Sequence, residues 1–200
     1  TPLSSHEVAQ GYKDVKERSA IAKFKVKGED SYILAWTTTP WTLPSNVALC
    51  VNPDEQYVKV DCGGSVYYLA AALADTVLKE DYTVLETYIG RDLENMEYEP
   101  LFRFVEPDKK CWYVTCDSYV TLTDGTGVVH IAPAFGEDDA KVGRKYGLPL
   151  VQLVDGKGQM TSETKWPGVF CKDADKEILQ DLDQRGLLFS APKFEHSYPF

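Results

Sequence analysis

One stretch of this chain reads Trp36-Thr-Thr-Thr-Pro-Trp-Thr-Leu-Pro-Ser-Asn46 and begins at the end of a predicted strand. Its two prolines stop the strand, because proline cannot donate to a β-ladder. Side chains alternate along a strand, so Thr37 and Thr39 should share a face from which Thr38 points away. Threonine hydroxyls donate and accept hydrogen bonds, so they could orient a carbonyl or a water without adding charge. Threonine is also common in ordinary strands, and that alternative stays open.

Alternating apolar and polar residues predict further strands on both sides of this stretch. The predicted strands are Ile21–Lys27, Ser31–Thr38, Gln56–Asp61, Ser65–Ala70, Tyr82–Ile89, Leu101–Val105, Cys111–Cys116, Gly127–Ile131 and Leu150–Val154. The predicted helices are Ala71–Glu80, Glu137–Tyr146 and Lys172–Gly186. Strands and helices do not alternate regularly, so a doubly wound parallel sheet is not expected. We predict a β-rich α+β fold with a distorted β-barrel core and peripheral helices.

A second unusual stretch reads Asp124-Gly-Thr-Gly-Val-Val-His-Ile-Ala-Pro-Ala-Phe-Gly-Glu-Asp-Asp139. It joins a glycine turn, an apolar strand that holds His130, and an acidic helix start. The glycines allow close approach of a ligand to the backbone, but the third glycine of a dinucleotide fingerprint is missing. Acids at a helix start are often only capping or dipole partners, and a lone histidine on an apolar strand is more often a core residue. The functional alternative is one pocket that contains both the acids and the histidine.

Composition narrows the classes of function. The chain of 200 residues, 44% of them hydrophobic, can bury a sizeable core, so one domain over residues 1–200 is expected, with 92–100 as an exposed excursion. A net charge of −10 argues against broad, charge-driven wrapping of nucleic acid, but not against binding of one short single-stranded end. Motifs for a serine nucleophile elbow or a phosphate-binding loop are missing.

Cysteine and histidine spacing argues against a metal site. The five cysteines contain no pair at two-residue spacing and the three histidines are scattered, so neither zinc nor another cofactor is expected. Reduced cysteines and the lack of an Asn-x-Ser/Thr acceptor favour the cytoplasm. No apolar run approaches the roughly 20 residues needed to span a bilayer, so no membrane partner is expected.

Taken together, the two quoted stretches resemble the signatures of the editing domain, or connective peptide 1, inserted in the catalytic core of isoleucyl-tRNA synthetases. Related valyl and leucyl domains usually continue Thr-Thr-Arg-Pro, whereas this chain has a third threonine before the proline and a tryptophan after it. His130 is likewise the isoleucyl choice. The resemblance extends from Gly11–Lys16 to His196–Phe200. The activation signatures His-Ile-Gly-His and Lys-Met-Ser-Lys-Ser are absent from this chain, so it looks like a domain excised from a larger synthetase.

The resemblance implies hydrolysis of valine that was wrongly attached to the isoleucine tRNA, either as the ester on its 3′-terminal adenosine or as valyl-adenylate. Binding alone distinguishes amino acids that differ by one methylene by only about 10–200-fold, and this class of enzyme is itself the standard example. Its partners would be the tRNA end and the catalytic core of the parent synthetase. Two alternatives remain: a module that binds the tRNA 3′ end without hydrolysis, and the editing domain of a valyl or leucyl enzyme.

The resemblance also implies roles for particular residues. Asp139 would bind the α-ammonium group of the substrate, while Thr37, Thr38 and Thr39 would act on the scissile ester and its attacking water. The remaining substrate-binding residues would be His130, Trp41, Thr42 and Asn46, with His130 and Trp41 as pocket walls. The adenosine would be bound by Thr123, Asp124, Gly125 and Val129.

The source of the protein is suggested by two aromatic positions. Phe135 and Phe200 stand where many bacterial relatives of this family have histidine, which suggests a eukaryotic cytosolic form.

Overall fold

The computed structural model describes residues 19–191, in which nine strands form one mixed sheet. The strands are β1 (Ala20–Lys25), β2 (Tyr32–Thr37), β3 (Ala48–Val51), β4 (Gln56–Cys62), β5 (Ser65–Ala70), β6 (Tyr82–Ile89), β7 (Tyr113–Cys116), β8 (Val128–Ile131) and β9 (Leu188–Ser190). Their order is β6-β4-β5-β2-β8-β3-β7, with β1 beside β2 and β9 beside β1. The sheet forms a half-barrel with a few peripheral helices, which confirms the predicted fold class.

Strand β2 pairs with three other strands, and these pairings position the site. It pairs with β1 in the antiparallel sense along its length. Its first residues pair in parallel with β5, whereas Trp36 near its end pairs in parallel with Val129 of β8. The threonine stretch at the end of β2 therefore lies beside the strand that holds His130.

The sequence missed β3 and β9. All four residues of β3 are buried, so its sequence Ala-Leu-Cys-Val has no alternation to detect. Its hydrogen-bonded neighbours are β7 and β8.

Two predicted strands are wrong. The segment Leu101–Val105 is irregular. Its alternating aromatic residues Phe102 and Phe104 both pack edge-on to Trp166, at ring-centroid distances of 5.8 and 5.9 Å. The segment Leu150–Val154 contributes only an isolated bridge, from Val154 to Met160.

The helices were predicted more accurately. The short helix α1 (Ala74–Val77) follows a 3₁₀ turn over Ala71–Leu73, so the predicted helix Ala71–Glu80 is wrong in its last three residues. Helix α2 (Glu137–Tyr146) has the predicted bounds, and helix α3 (Cys171–Gln184) buries Ile178, Leu179 and Leu182 as expected.

The segment 92–100 is only partly an exposed excursion. Its charged residues point to solvent, but Leu93 and Tyr98 are 3% and 1% exposed. Backbone hydrogen bonds tie the segment to β7 and to Trp112, because the Asn95 N–H donates to Val114 O and the Tyr98 N–H donates to Trp112 O. The segment is thus packed on the core.

The remaining expectations concern the cysteines, a membrane span and the two terminal motifs. All five cysteines are unpaired. Between residues 19 and 191, no helix is long and apolar enough to cross a membrane. The motifs Gly11–Lys16 and His196–Phe200 lie outside the described residues.

Candidate functional site

The two signature stretches converge on one cavity of about 210 Å³. Its lining residues are Trp36, Thr37, Thr38, Thr39, Thr42, Val129, His130, Phe135 and Asp139. Typical pockets for drug-sized ligands have about 300–1,000 Å³, so this cavity suits a smaller group such as an amino acid. Asp139 is its single charged lining residue among those described.

The three hydroxyls of Thr37, Thr39 and Thr42 form a connected cluster. The Oγ1 atoms of Thr37 and Thr39 are 3.4 Å apart, and those of Thr39 and Thr42 are 3.2 Å apart. Thr38 is exposed at the rim of the cavity, whereas Thr37 is 7% exposed. As predicted, Thr37 and Thr39 share a side, but Thr38 also lines the cavity.

Thr42 is positioned by the 3₁₀ helix Pro40–Ser45, which is separated from the end of β2 by two residues. The Thr42 N–H and the Thr42 hydroxyl both donate to the Thr39 carbonyl, at 2.9 and 2.8 Å. This turn folds the chain back after Thr39, so that Thr42 reaches the same hydroxyl cluster.

His130 lies on β8 with only 9% of its surface exposed. Its Nε2 is 2.7 Å from Thr42 Oγ1, and its Nδ1 is 3.3 Å from Asn46 Nδ2. Burial lowers the pKa of His130 to about 4, because the charged imidazolium loses its hydration. The ring is therefore neutral at pH 7.

Asp139 lies in the first turn of α2, with its side chain turned back to the preceding loop. Its Oδ2 accepts a hydrogen bond of 2.8 Å from Ala132 N–H, which closes the loop between β8 and α2. Burial raises the pKa of Asp139, and the bond from Ala132 opposes that rise. Asp138, by contrast, is exposed. Asp139 thus has both a structural bond and a carboxylate in the cavity.

Two predicted substrate contacts, Trp41 and Asn46, lie behind the cavity rather than on its surface. The Trp41 ring packs edge-on to Phe135 at 5.3 Å, and Phe135 is the residue that lines the cavity. Asn46 is 6% exposed and bonds His130 from behind. Neither Trp41, expected as a wall, nor Asn46, expected as a substrate-binding amide, is among the residues that line the cavity.

Trp36 and Phe135 line the cavity but were missing from the expected site. Both flank the signature threonines or acids in sequence, which was the available signal. The indole Nε1 of Trp36 is buried and has no hydrogen-bond partner among the described residues.

The four expected adenosine-binding residues do not all line the same cavity. Val129 lines the same cavity as the threonines, whereas Asp124 and Gly125 line a second cavity of about 590 Å³. Thr123 is exposed and pairs with Thr121 at 3.2 Å. The ring of Trp36 contacts Gly125 so closely that an added Cβ would lie 2.3 Å from it.

Solved structures establish the class of fold. The chain resembles the editing domain of the P. knowlesi cytosolic leucyl-tRNA synthetase with a TM-score of 0.69 and 13% identity, over 88% of this chain and 96% of that one. The corresponding P. falciparum domain gives 0.67 and 12%, over 88% and 100%. The chain therefore has the fold of these synthetase editing domains.

The sequence relatives are isoleucine–tRNA ligases. The chain is 58% identical over its full length to the isoleucine–tRNA ligase of Clostridium novyi and 46% identical to that of Picrophilus torridus. It spans 19% and 20% of the lengths of these two ligases. These relatives are bacterial and archaeal, so they give no support to the eukaryotic cytosolic form. No family model matches the chain.

Proposed function

We propose that this chain is the editing domain of an isoleucine–tRNA ligase and hydrolyses valine that is misattached to the isoleucine tRNA. The observation that carries the proposal is a small cavity with one negative charge, a neutral histidine and a cluster of threonine hydroxyls. Valyl-adenylate is a second substrate of the same chemistry. The similarity to isoleucine–tRNA ligases supports the choice of amino acid.

The charge of the cavity matches the ammonium end of an aminoacyl ester. Asp139 supplies the only formal charge among the described lining residues, since His130 is neutral at pH 7. A substrate ammonium would stabilise the ionised form of this partly buried carboxylate by a charge-assisted hydrogen bond. In the proposal, Asp139 fixes the amino group and thereby the position of the ester carbonyl.

Hydrolysis would then proceed by direct attack of water. Among residues 19–191, no serine or cysteine lines the cavity. Threonine hydroxyls can hold the carbonyl oxygen and the water in line, so orientation and stabilisation of the developing oxyanion supply the catalysis. Water adds to the carbonyl carbon, the bond to the ribose oxygen breaks, and free valine and uncharged tRNA result.

Selection against isoleucine would come from exclusion. His130, Trp36 and Phe135 are large side chains in the cavity wall, and Trp41 supports one of them from behind. A rigid wall rejects one extra methylene through a steric clash, whereas attraction alone discriminates weakly. In the proposal, His130 is the wall that valine clears and isoleucine does not.

The partners follow from this function. The 3′-terminal adenosine would approach past Val129, with backbone groups near Thr123, Asp124 and Gly125 as its contacts. The catalytic core of the parent ligase would deliver the tRNA end, and the cytoplasm would be the site of action.

A deacylation assay tests the proposal with two matched acids. In the ligase that carries this domain, Asp139→Asn should slow hydrolysis of valyl-tRNA(Ile) on the order of 100-fold, because asparagine keeps the acceptor for Ala132 N–H but loses the charge. Asp138→Asn, at the exposed neighbouring position, should stay within about twofold of the wild-type rate.

Three outcomes would contradict the proposal. Equal rates in wild type and Asp139→Asn would remove the role of the carboxylate. A tRNA end that binds without any deacylation by the wild-type ligase would favour a binding module. Preferred hydrolysis of threonyl- or norvalyl-tRNA would assign the domain to a valyl or leucyl enzyme.

A further inference from the structure

The 3₁₀ helix Pro40–Ser45 begins without the side-chain cap that its sequence would supply. Thr39 precedes this helix, and a threonine in that position usually accepts the backbone N–H of the second or third helical residue with its hydroxyl. The third residue, Thr42, already donates its N–H to the Thr39 carbonyl. The N–H of the second residue, Trp41, therefore needs an acceptor, and the Thr39 hydroxyl makes no such bond.

The missing acceptor comes from helix α3. The Trp41 N–H donates to Asp175 Oδ1 at 2.8 Å, across 134 positions of sequence. Asp175 is partly buried in the first half of α3 and does not line the cavity. A carboxylate accepts a backbone N–H more strongly than a neutral hydroxyl does. Asp175 thus caps the 3₁₀ helix in place of Thr39.

Three other threonines show where the Thr39 hydroxyl would go without Asp175. Each accepts the backbone N–H two residues further along the chain, in a local turn. The bonds are Thr37 with Thr39 N–H at 3.0 Å, Thr126 with Val128 N–H at 3.3 Å, and Thr164 with Trp166 N–H at 3.1 Å. For Thr39 the corresponding group is the Trp41 N–H, which Asp175 binds instead.

With the Trp41 N–H bound to Asp175, the Thr39 hydroxyl faces the cavity. Its Oγ1 is 3.4 Å from Thr37 Oγ1 and 3.2 Å from Thr42 Oγ1, and Thr39 lines the cavity. The Thr39 backbone is held separately, because its N–H donates to Thr37 Oγ1 and its carbonyl accepts from Thr42. The side-chain rotamer of Thr39 is therefore the part that can respond to Asp175.

We propose that Asp175 is a positioning residue for the cavity: it binds the Trp41 N–H and so leaves the Thr39 hydroxyl in the cavity, where that hydroxyl can act on a substrate. Without the carboxylate, the Thr39 hydroxyl would turn to the Trp41 N–H and leave the threonine cluster. Asp175 lies outside both signature stretches, so only the fold connects it to the site. Only the catalytic consequence rests on the proposed function.

NMR of the chain measures the Thr39 rotamer directly, because three-bond couplings from the threonine methyl carbon to the backbone nitrogen and carbonyl carbon depend on χ1. Thr39→Val identifies the Thr39 signals. Asp175→Ala should change these couplings to those of a second rotamer. Asp175→Asn should keep the wild-type couplings, since its amide oxygen can still accept the Trp41 N–H.

Two further variants complete the NMR test. Glu177→Ala is the matched control, because it removes an exposed acid from the same helix, and it should keep the wild-type couplings. Asp175→Lys also lacks an acceptor and should give the second rotamer, so the inference can be tested even if Asp175→Ala does not fold.

Deacylation by the ligase adds a double-mutant test that depends on the proposed function. Asp175→Ala should lower kcat for valyl-tRNA(Ile) by roughly tenfold with KM little changed, whereas Asp175→Asn should restore kcat. In a ligase that already carries Thr39→Val, the further change Asp175→Ala should alter kcat by less than about twofold, because the hydroxyl that it would displace is gone.

The rotamer and the hydrolysis can fail separately. Wild-type couplings in Asp175→Ala, or altered couplings in Asp175→Asn or Glu177→Ala, would each overturn the inference. An equal loss of kcat from Asp175→Ala with and without the Thr39 hydroxyl would show a general structural effect and would overturn it as well. A ligase that never hydrolyses valyl-tRNA would contradict the proposed function and leave the NMR result intact.

Discussion

The carboxylate of Asp139 is held in the cavity at a cost to the folded chain. Burial raises the pKa of Asp139 above its ordinary value of 3.8. The folded protein thus binds this proton more tightly than the unfolded chain does, so stability falls as the pH rises from 3.8 through the raised pKa, and the loss is complete above it. Buried ionisable groups with shifted pKa values are common at functional sites.

Asp139→Asn should therefore stabilise the domain at pH 7. Asparagine keeps an acceptor for the Ala132 N–H, which is 2.8 Å from Oδ2, and removes the buried charge. The gain in the free energy of unfolding should be present above the raised pKa and should shrink as the pH falls toward 3.8. Urea unfolding across this range measures it, and a variant less stable than wild type at pH 7 would refute the argument.

His130→Ala should relax selectivity in the ligase. Removal of the ring leaves space for one more methylene, so hydrolysis of isoleucyl-tRNA(Ile) should rise by roughly 10–200-fold relative to the valyl ester. Thr115→Ala is the control, because it removes another buried polar side chain, bonded to Leu49 O at 2.8 Å, that does not line the cavity. Unchanged rejection of isoleucine in His130→Ala would defeat the wall role.

At the scale of elements, the turn before β8 fixes one wall of the cavity. Gly125 has a φ of +72°, and an added Cβ would lie 2.3 Å from the ring of Trp36. The turn therefore needs glycine for two reasons: the left-handed backbone and the contact with the indole. Gly28 has a similar φ of +81° with nothing near its absent Cβ.

The two glycines give a matched pair of substitutions. Gly28→Ala should cost about 1–2 kcal/mol of stability, from the left-handed backbone alone. Gly125→Ala should cost about 1–3 kcal/mol more, because overpacking against Trp36 adds to the same strain. Chemical denaturation of both variants measures the difference. Equal losses in the free energy of unfolding would show that the Trp36 ring moves aside without cost.

The sequence predicted strands β4, β5 and β6 almost to the residue and missed β3 and β9. Strand β3 is buried throughout, so an alternation of apolar and polar residues could not reveal it, although it separates β8 from β7. Short-range pattern can predict the threonine and acidic stretches, but their approach depends on the parallel pairing of Trp36 with Val129, which is a long-range contact.

The same limit explains the errors in the site. Thr37, Thr39 and Asp139 could be proposed from local signatures, and all three line the cavity. Trp41 was expected there too, but the 3₁₀ turn places it behind Phe135.

For the molecule as a whole, acidity restricts the way in which it can bind tRNA. A net charge of −10 opposes any interface that follows many phosphates. The exposed residues Lys141 and Arg144 on α2 are the nearest basic groups in sequence to Asp139. We therefore expect recognition to be concentrated on the aminoacylated end, where base, ribose and amino acid groups count for more than phosphate charge.

The salt dependence of binding measures this directly. Each phosphate contact on a single strand contributes about −0.7 to the slope of log K against log salt, so contact with one to three phosphates predicts a slope of about −1 to −2. Titration of the ligase domain with a short CCA-ending oligonucleotide, at several salt concentrations, gives the slope. Charge reversal at both Lys141 and Arg144 should make it shallower if α2 faces the strand. A slope steeper than about −4 would require six or more phosphate contacts and would contradict end-only recognition.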